Sequence, residues 1–230
     1  MKKVNNVTAV IAVLLYALTA SSAALCADDE LPDKTTDGLT RIDSKNVQAL
    51  YWQDGATLAQ YTKVMLVDCA VAFRKDWMKD FNRERRDLSS RVSSKDMDRI
   101  KTALAQEFKI KFTEVLEDGG YEIVEETGDD VLLLRPALIN LDVTAPDLNN
   151  VGRSRNYVAS AGQMTLYMEF YDSATSAKIG EVVDAESARD TGVMRVANRV
   201  TNKAEADIIL KKWANLLVDA LDEAHGKSGN

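Results

Sequence analysis

Histidine and cysteine are nearly absent from this chain of 230 residues, which has one histidine and two cysteines. The histidine, His225, lies so close to the C-terminus that we expect it to be frayed, and it offers no base for a serine or cysteine nucleophile. Zinc sites draw mostly on Cys and His ligands, and a disulfide framework needs more cysteines than these. The sequence therefore predicts no catalytic residues, no metal site and no disulfide scaffold.

Phosphate-binding loops and long apolar runs are also missing. No segment matches a P-loop or a dinucleotide fingerprint, and acidic pairs such as Glu125-Glu126 lack the ligand spacing of an EF-hand. We therefore expect no cofactor. After the N-terminal segment, no stretch approaches the roughly 20 apolar residues that a membrane span needs. A formal charge of -7 gives no general attraction to nucleic acid or anionic lipid, so we expect no nucleic-acid partner.

Residues 1–27 are typical of a secretory signal peptide. Two lysines precede an apolar run, and small residues follow it. Cys26 is a candidate for lipidation, but Leu25 stands immediately before it, where a lipobox has a small residue. Plain cleavage nearby is therefore favoured. The protein is predicted to be exported and periplasmic, and the alternative is an outer-membrane lipoprotein with an N-terminal lipid anchor.

The rest of the chain divides into a tether, one domain and a tail. Residues 28–48 are polar and poor in large apolar side chains, which predicts a flexible tether. Residues 49–226 alternate strand and helix patterns without a visible repeat, which predicts a single α/β (α+β) domain. Residues 227–230 are predicted to be a disordered tail. Within the domain, Cys69 lies in an apolar run and is interpreted as a core residue rather than a nucleophile.

The clearest pattern is an amphipathic helix that begins after Ser93 and ends at Gly119-Gly120. Ser93 and Asp96 have the spacing of a capping box, and either glycine can adopt the left-handed conformation that ends a helix. The run from Val64 to Phe73 before it predicts one strand buried on both faces. The helix has apolar residues at steps of three and four, namely Met97, Ile100, Leu104, Phe108, Phe112 and Val115.

The region after this helix predicts four antiparallel strands in two hairpins, followed by a final helix. The first hairpin joins 121–125 to 131–143, with a bulge or an edge at Pro136 because proline cannot donate to a ladder. The second joins 163–171 to 179–187, where apolar and polar residues alternate. The expected fold is a two-layer sandwich, with a mixed, mostly antiparallel sheet of about five strands and two long helices on one face.

Two irregular loops, 142–157 and 189–200, adjoin the second hairpin. In an antiparallel sheet both loops would lie at the same end. Their five arginines suit carboxylate or phosphate groups. Alternatively, Asp142, Asp147 and Asp190 pair with these arginines and only hold the loops in place. The candidate residues for binding a partner or an anion are Arg153, Arg155, Tyr157, Arg189, Arg195 and Arg199.

A basic and aromatic stretch runs from Arg74 to Arg91. It has seven basic and four acidic residues. Phe73, Trp77 and Phe81 recur every four residues, which predicts a short helix or turn held by its aromatic side chains. The stretch has the composition to bind an anionic polymer, although a solvated amphipathic segment is the simpler interpretation. We expect it at the end of the sheet opposite the two loops, because its strand would run parallel to 121–125.

Several stretches of the chain have the pattern of a known family. They are YWQDGATLAQYTKVML, VAFRKDW, LSSRVSSKDMDRIK, GRSRNYVASAGQMTLYMEFYDS, and RDTG with ANRVTNKAEA. On these stretches the chain resembles, over about residues 50–225, a bacterial envelope family known as domain of unknown function 3313. The resemblance implies an exported protein. Many members of the family have a lipobox, and this chain departs from it because Leu25 precedes Cys26. The family implies no catalytic or binding residues.

These observations favour a non-enzymatic envelope protein. It would be an adaptor or assembly factor whose arginine-rich loops bind an envelope protein or a cell-wall component. A periplasmic binder of an anionic small ligand or cell-wall fragment is the first alternative. A carboxylate-based hydrolase is the second, and it would need two carboxyl groups about 5–9 Å apart in one pocket.

Overall fold

The computed structural model describes residues 31–143 except 84, 86, 89 and 90, and then 156–158, 162–187, 195–197 and 199–227. For 156–158, 195–197 and 199–202 the structure describes the backbone only. The predicted signal peptide with Cys26 and the end of the predicted tail lie outside these residues. The elements are β1 Thr40–Ile42, β2 Ala49–Trp52, β3 Lys63–Leu66, β4 Ala70–Phe73, α1 Trp77–Arg83, α2 Ser94–Asp118, β5 Glu122–Ile123, β6 Val131–Val143, β7 Asn156–Val158, β8 Gly162–Asp172, β9 Lys178–Ser187, β10 Arg195–Ala197 and α3 Arg199–Ala224.

One mixed sheet forms the centre of the domain, which confirms the predicted α+β class. Its strand order is β1-β2-β9-β8-β6-β3-β5, and β4 also pairs with β6. The sheet has eight strands rather than about five, because several short strands extend it on both sides. The second predicted hairpin is confirmed, since β8 and β9 pair antiparallel from Gln163 opposite Ser187 to Tyr171 opposite Lys178.

The long helices α2 and α3 pack side by side and run in the same direction. Glu107 of α2 pairs with Lys203, and further along Glu114 lies 3.5 Å from Lys211. The core between helices and sheet includes Phe108 and Leu210, both fully buried, and Trp213. Among the described residues, no helix is long and apolar enough to cross a membrane.

Helix α2 has the predicted start, stop and apolar stripe. The backbone N–H of Asp96 donates to the Ser93 hydroxyl, and the backbone N–H of Ser93 donates to the Asp96 carboxylate at 3.0 Å, which completes the capping box. After the helix, Gly120 has a φ of 85°, where a side chain would be strained. The stripe is centred on Phe108, Phe112 and Leu116. Leu116 is fully buried, whereas the sequence predicted its neighbour Val115 on this face.

The predicted first hairpin is wrong, because β3 lies between β5 and β6. Strand β3 pairs in parallel with both, with Lys63 opposite Glu122 on one side and opposite Val131 on the other. The reason is the long helix. Helix α2 carries the chain back to the end of the sheet at which β3 began, so β5 starts parallel to β3. Val64 in β3 is fully buried, as a central strand requires.

The predicted strand from Val64 to Phe73 consists of two strands, and Pro136 explains the break. Val67 donates its N–H to the Leu134 carbonyl at 3.1 Å. In a regular parallel ladder the Val67 carbonyl would then accept from residue 136, but proline has no N–H. Pro136 thus lies in an interior strand, opposite the break between β3 and β4, and not at a bulge or an edge. The bulge between β6 and β8 falls after Ile139.

Both ends of the domain are more ordered than the sequence suggested. The predicted tether, 28–48, contains β1, whose Thr40 pairs with Trp52 of β2, so the expectation of a flexible segment is wrong there. Leu39 is buried and adds an apolar contact. His225 is not frayed, because its Nδ1 lies 2.6 Å from the Leu221 carbonyl oxygen and its ring packs near Tyr121.

Candidate functional site

The strand ends that border the two arginine-rich loops lie at one end of the sheet, as predicted. Strand β6 ends at Val143 directly opposite Gly162, the first residue of β8. On the other side of β8, Gln163 lies opposite Ser187, the last residue of β9. The chain therefore leaves β6, enters β8 and leaves β9 at the same end of the sheet. We call this end of the sheet the basic end.

The backbones of the two loops meet in a separate two-stranded ribbon. Strand β7 pairs antiparallel with β10, so that Arg195 lies opposite Val158 and Tyr157 opposite Val196. Helix α3 follows at once and begins at Arg199. Three of the six candidate residues thus have a described backbone position. The other three, Arg153, Arg155 and Arg189, lie outside the described residues.

The stretch from Arg74 to Arg91 also lies at the basic end, which corrects the prediction that it lies at the opposite end. Strand β4 runs parallel to β6, with Phe73 opposite Leu141, and the Arg74 N–H donates to the Leu141 carbonyl at 3.0 Å. The prediction was wrong because it took 121–125 and 131–143 as antiparallel partners. Helix α1 is confirmed, and its Trp77 ring stacks on Phe73 at 4.3 Å.

Asp142 connects α1 to the end of β6. Its two carboxylate oxygens accept from Arg74 Nε at 2.6 Å and from Trp77 Nε1 at 3.1 Å. Arg74 also donates to Asp80 at 2.8 Å, and this hydrogen bond lowers the pKa of the Asp80 carboxyl. The sequence predicts Asp142 as a possible counter-ion for the loop arginines. In the structure its carboxylate instead binds Arg74 and Trp77, at the start of α1.

A buried polar network lies on the sheet face that points away from the core. Lys178 lies 2.9 Å from Glu169 and 2.6 Å from Glu181, which face each other across β8 and β9. The Tyr167 hydroxyl lies 3.1 and 2.9 Å from oxygens of the same two carboxylates, which share its one proton as acceptors. Burial alone would raise the pKa of Glu169, but the hydrogen bond and charge of Lys178 outweigh burial and lower it.

This network brings two carboxyl groups together, and the hydrolase alternative needs such a pair in one pocket, with one of the two holding a proton. Lys178 pairs with both carboxylates, and its hydrogen bond and charge lower the pKa of Glu169, which favours the ionised form of that group. The sequence did not indicate the network, because its residues lie among many other charged residues.

The single described cysteine is suited to packing. Cys69 is 8% exposed, and burial raises the pKa of its thiol to about 12, so it is protonated at neutral pH. Within the part of the chain that the structure describes, no group of three or more His, Cys, Asp and Glu side chains could hold a metal ion.

The sequence of the domain matches one family model over residues 33–217, described as a protein of unknown function, DUF3313. The chain belongs to this family. The match begins before β1 and ends within α3, so the DUF3313 region includes the whole sheet, all of α2 and most of α3. No curated protein sequence matches the chain.

Several solved structures are similar to this DUF3313 chain at low identity. A PelC dodecamer from Paraburkholderia phytofirmans has 12% identity and a TM-score of 0.35, and the match covers 75% of this chain and 96% of that one. A minor lipoprotein from Acinetobacter baumannii has 10% identity and a TM-score of 0.33, over 73% and 95%. A DUF4136 family protein from Bacteroides thetaiotaomicron has 11% identity and a TM-score of 0.35, over 77% and 100%. Similarity at this level does not assign a function.

Proposed function

We propose that this protein is a non-enzymatic adaptor or assembly factor of the bacterial envelope, which binds an acidic partner at its basic end. The location rests on the signal-like N-terminus. The observation that carries the binding role is that the strand ends bordering three basic segments meet at one end of the sheet. Segments 74–91, 144–161 and 188–200 have twelve basic and six acidic residues together, in a chain whose formal charge is -7.

The parallel helices add to this positive field. Both α2 and α3 begin at the basic end, and the N-terminus of a helix has a partial positive charge. Asp142 is not available as a counter-ion for the loop arginines, because its carboxylate accepts hydrogen bonds from Arg74 and Trp77. These features support an anionic partner for the loop arginines over an internal ion-pair network.

The opposite end of the domain has the opposite sign. Between 117 and 130 the chain has seven carboxylates and no lysine or arginine. The two ends of the domain therefore differ in charge, so an acidic partner is attracted to the basic end alone.

Capture of a partner from envelope extract tests this function. We expect the wild-type domain to retain a partner and the variant Arg153→Glu/Arg155→Glu to lose it, because charge reversal removes the attraction. The matched control is Lys34→Glu/Lys109→Glu, which reverses two exposed lysines elsewhere and should retain the partner. Equal capture by all three proteins would refute the proposal.

The small-ligand alternative predicts a different result. Muropeptides or anionic metabolites would raise the Tm of the wild-type domain, and the Arg153→Glu/Arg155→Glu variant would not respond. If they do so while no protein is captured, the protein is a binder of an anionic ligand rather than an adaptor. If none of these compounds raises the Tm while a protein partner is captured, the adaptor function is supported and the small-ligand alternative is refuted.

A further inference from the structure

The segment from Arg83 to Arg91 forms a closed loop between α1 and α2, and we call it the clasped loop. The Asn82 side chain donates to the Val92 carbonyl and accepts from the Val92 N–H, both at 2.8 Å. These two hydrogen bonds join the ends of the loop. Compact loops whose ends are held together in this way are frequently functional. The sequence did not reveal this loop, because a contact between residues ten apart leaves no periodic pattern.

The base of the clasped loop is rigid. Under it, the Trp77 and Phe81 rings pack with their centroids 5.3 Å apart. The Arg85 guanidinium lies 3.4 Å above the centre of the Phe81 ring and donates to the Phe81 carbonyl, in a cation–π arrangement. Asn82, Arg85 and Val92 are therefore held in place before any partner arrives. A preformed surface loses less conformational entropy on binding than a flexible one.

The clasped loop combines positive charge with one exposed apolar side chain. Leu88 is 76% exposed, more than any other large apolar residue that the structure describes. Lys79 is exposed on α1, and Arg83, four residues further on and therefore on the same helix face, has a side chain that is 67% exposed. Lys75 is exposed in the turn that precedes α1. We call these three residues the basic stripe, and its last member, Arg83, begins the loop that presents Leu88.

We propose that the clasped loop and the basic stripe form a docking surface for an acidic segment of a partner protein. An apolar side chain of that segment covers Leu88. This inference rests on the proposed function and specifies the chemistry of the partner. A glycan would meet the charges but would leave Leu88 in water. An extended anionic membrane would be repelled by the overall charge of -7, whereas a single acidic segment meets only the basic end.

Fluorescence anisotropy with labelled synthetic peptides tests the docking surface. The probe is a peptide of alternating glutamate and leucine, and we compare it with polyglutamate and with vesicles that contain phosphatidylglycerol. We expect the Glu–Leu peptide to bind best. Leu88→Ser should weaken it about tenfold, the loss of roughly one buried apolar contact. The matched control is Ile208→Ser, since Ile208 is 64% exposed on α3, and it should bind as the wild type does.

Charge variants test the basic stripe in the same assay. Lys75→Glu/Lys79→Glu should weaken binding and flatten its dependence on salt, because fewer charge pairs remain to be screened. The control Lys34→Glu/Lys109→Glu should keep both the affinity and the salt dependence. All the substituted side chains are exposed, so each variant should keep the wild-type Tm.

Three outcomes would overturn the inference. The first is failure of the Glu–Leu peptide to bind, and the second is equal binding of polyglutamate. The third is vesicle binding with the same dependence on Leu88, which would make a lipid surface the partner. In envelope extract, capture that is lost in Arg153→Glu/Arg155→Glu but kept in Leu88→Ser and Lys75→Glu/Lys79→Glu would overturn this inference and leave the proposed function standing.

Discussion

Trp213 donates its indole N–H to the Asp184 carboxylate across 2.7 Å inside the core. The other oxygen of Asp184 accepts the backbone N–H of Gln48 at 3.0 Å. One buried carboxylate thus joins helix α3, strand β9 and the residue that precedes β2. Since a buried charge is tolerated only when its hydrogen bonds are made, this connection sets how α3 lies on the sheet.

Asp184→Ala should destabilise the domain strongly. The substitution leaves the buried N–H of Trp213 without its acceptor, and an unsatisfied buried donor costs about 1–3 kcal/mol. Gln48 is exposed, so water can replace the acceptor of its N–H. The free energy of unfolding, measured in urea, should therefore fall by about 1–3 kcal/mol. The control is Glu186→Ala, two residues along β9, which removes a more exposed ion pair with Lys212 and should cost less than about 1 kcal/mol. Equal losses in both variants would contradict a special role for Asp184.

Lys178→Met should destabilise the domain at neutral pH and have less effect in acid. Removal of the cation leaves Glu169 and Glu181 facing each other, and breaking a buried ion pair costs about 3–5 kcal/mol. In the wild type the pKa of Glu169 is lowered, so its contribution to stability is present at neutral pH and is lost as the pH falls through that pKa. The variant instead gains stability when these carboxylates take up protons.

Urea unfolding of both proteins at neutral pH and in mild acid measures this difference. The gap between their free energies of unfolding should narrow as the pH falls. A gap that stays constant or widens in acid would show that Lys178 stabilises the sheet through packing rather than through charge.

Gly180→Ala should disturb the contact between β9 and β2. A Cβ atom at Gly180 would overlap the six-membered ring of Trp52, which packs on Phe170 with ring centroids 5.4 Å apart. Overpacking of this kind costs about 1–3 kcal/mol. In a Trp52→Leu background the same substitution should cost clearly less, because the ring is gone. A double-mutant cycle measures the coupling, and additive effects would contradict the steric explanation.

Cys69 should react slowly with iodoacetamide in the folded protein. The thiol is buried and its pKa is about 12, so the reactive thiolate is scarce at neutral pH. Alkylation should become fast in urea, and Cys69→Ala provides the unreactive control. Rapid alkylation of Cys69 in the folded state would indicate local opening of the strand break.

Mass spectrometry of the mature protein identifies its N-terminal residue. The same measurement shows whether Cys26 is kept and carries a lipid.

The sequence was sufficient where the determining contacts are local. Helix α2 was predictable because the Ser93–Asp96 capping box and its apolar stripe lie within one segment. The β8–β9 hairpin was predictable from alternation across a short turn, and the position of the two loops at one end followed from that hairpin. These patterns need no knowledge of distant partners.

The sequence failed where long-range pairing decides the structure. Nothing near β3 indicates that it lies between β5 and β6, and that one error placed the 74–91 stretch at the wrong end of the sheet. The Arg74–Asp142 ion pair joins residues 68 positions apart. Neither residue differs from any other charged residue in a linear pattern. The candidate arginines were found by composition, whereas the clasped loop depends on Asn82 reaching Val92.

The proline in β6 makes one stretch of the sheet tolerant of added chain. Val67 and Asp68 lie in the break between β3 and β4, and the Asp68 side chain is 95% exposed. Because Pro136 has no N–H to donate, residues inserted after Asp68 would not remove a ladder hydrogen bond that the native sheet makes at this point. A short peptide tag placed there should leave the strand register intact, and so give a handle for attaching the domain away from the basic end.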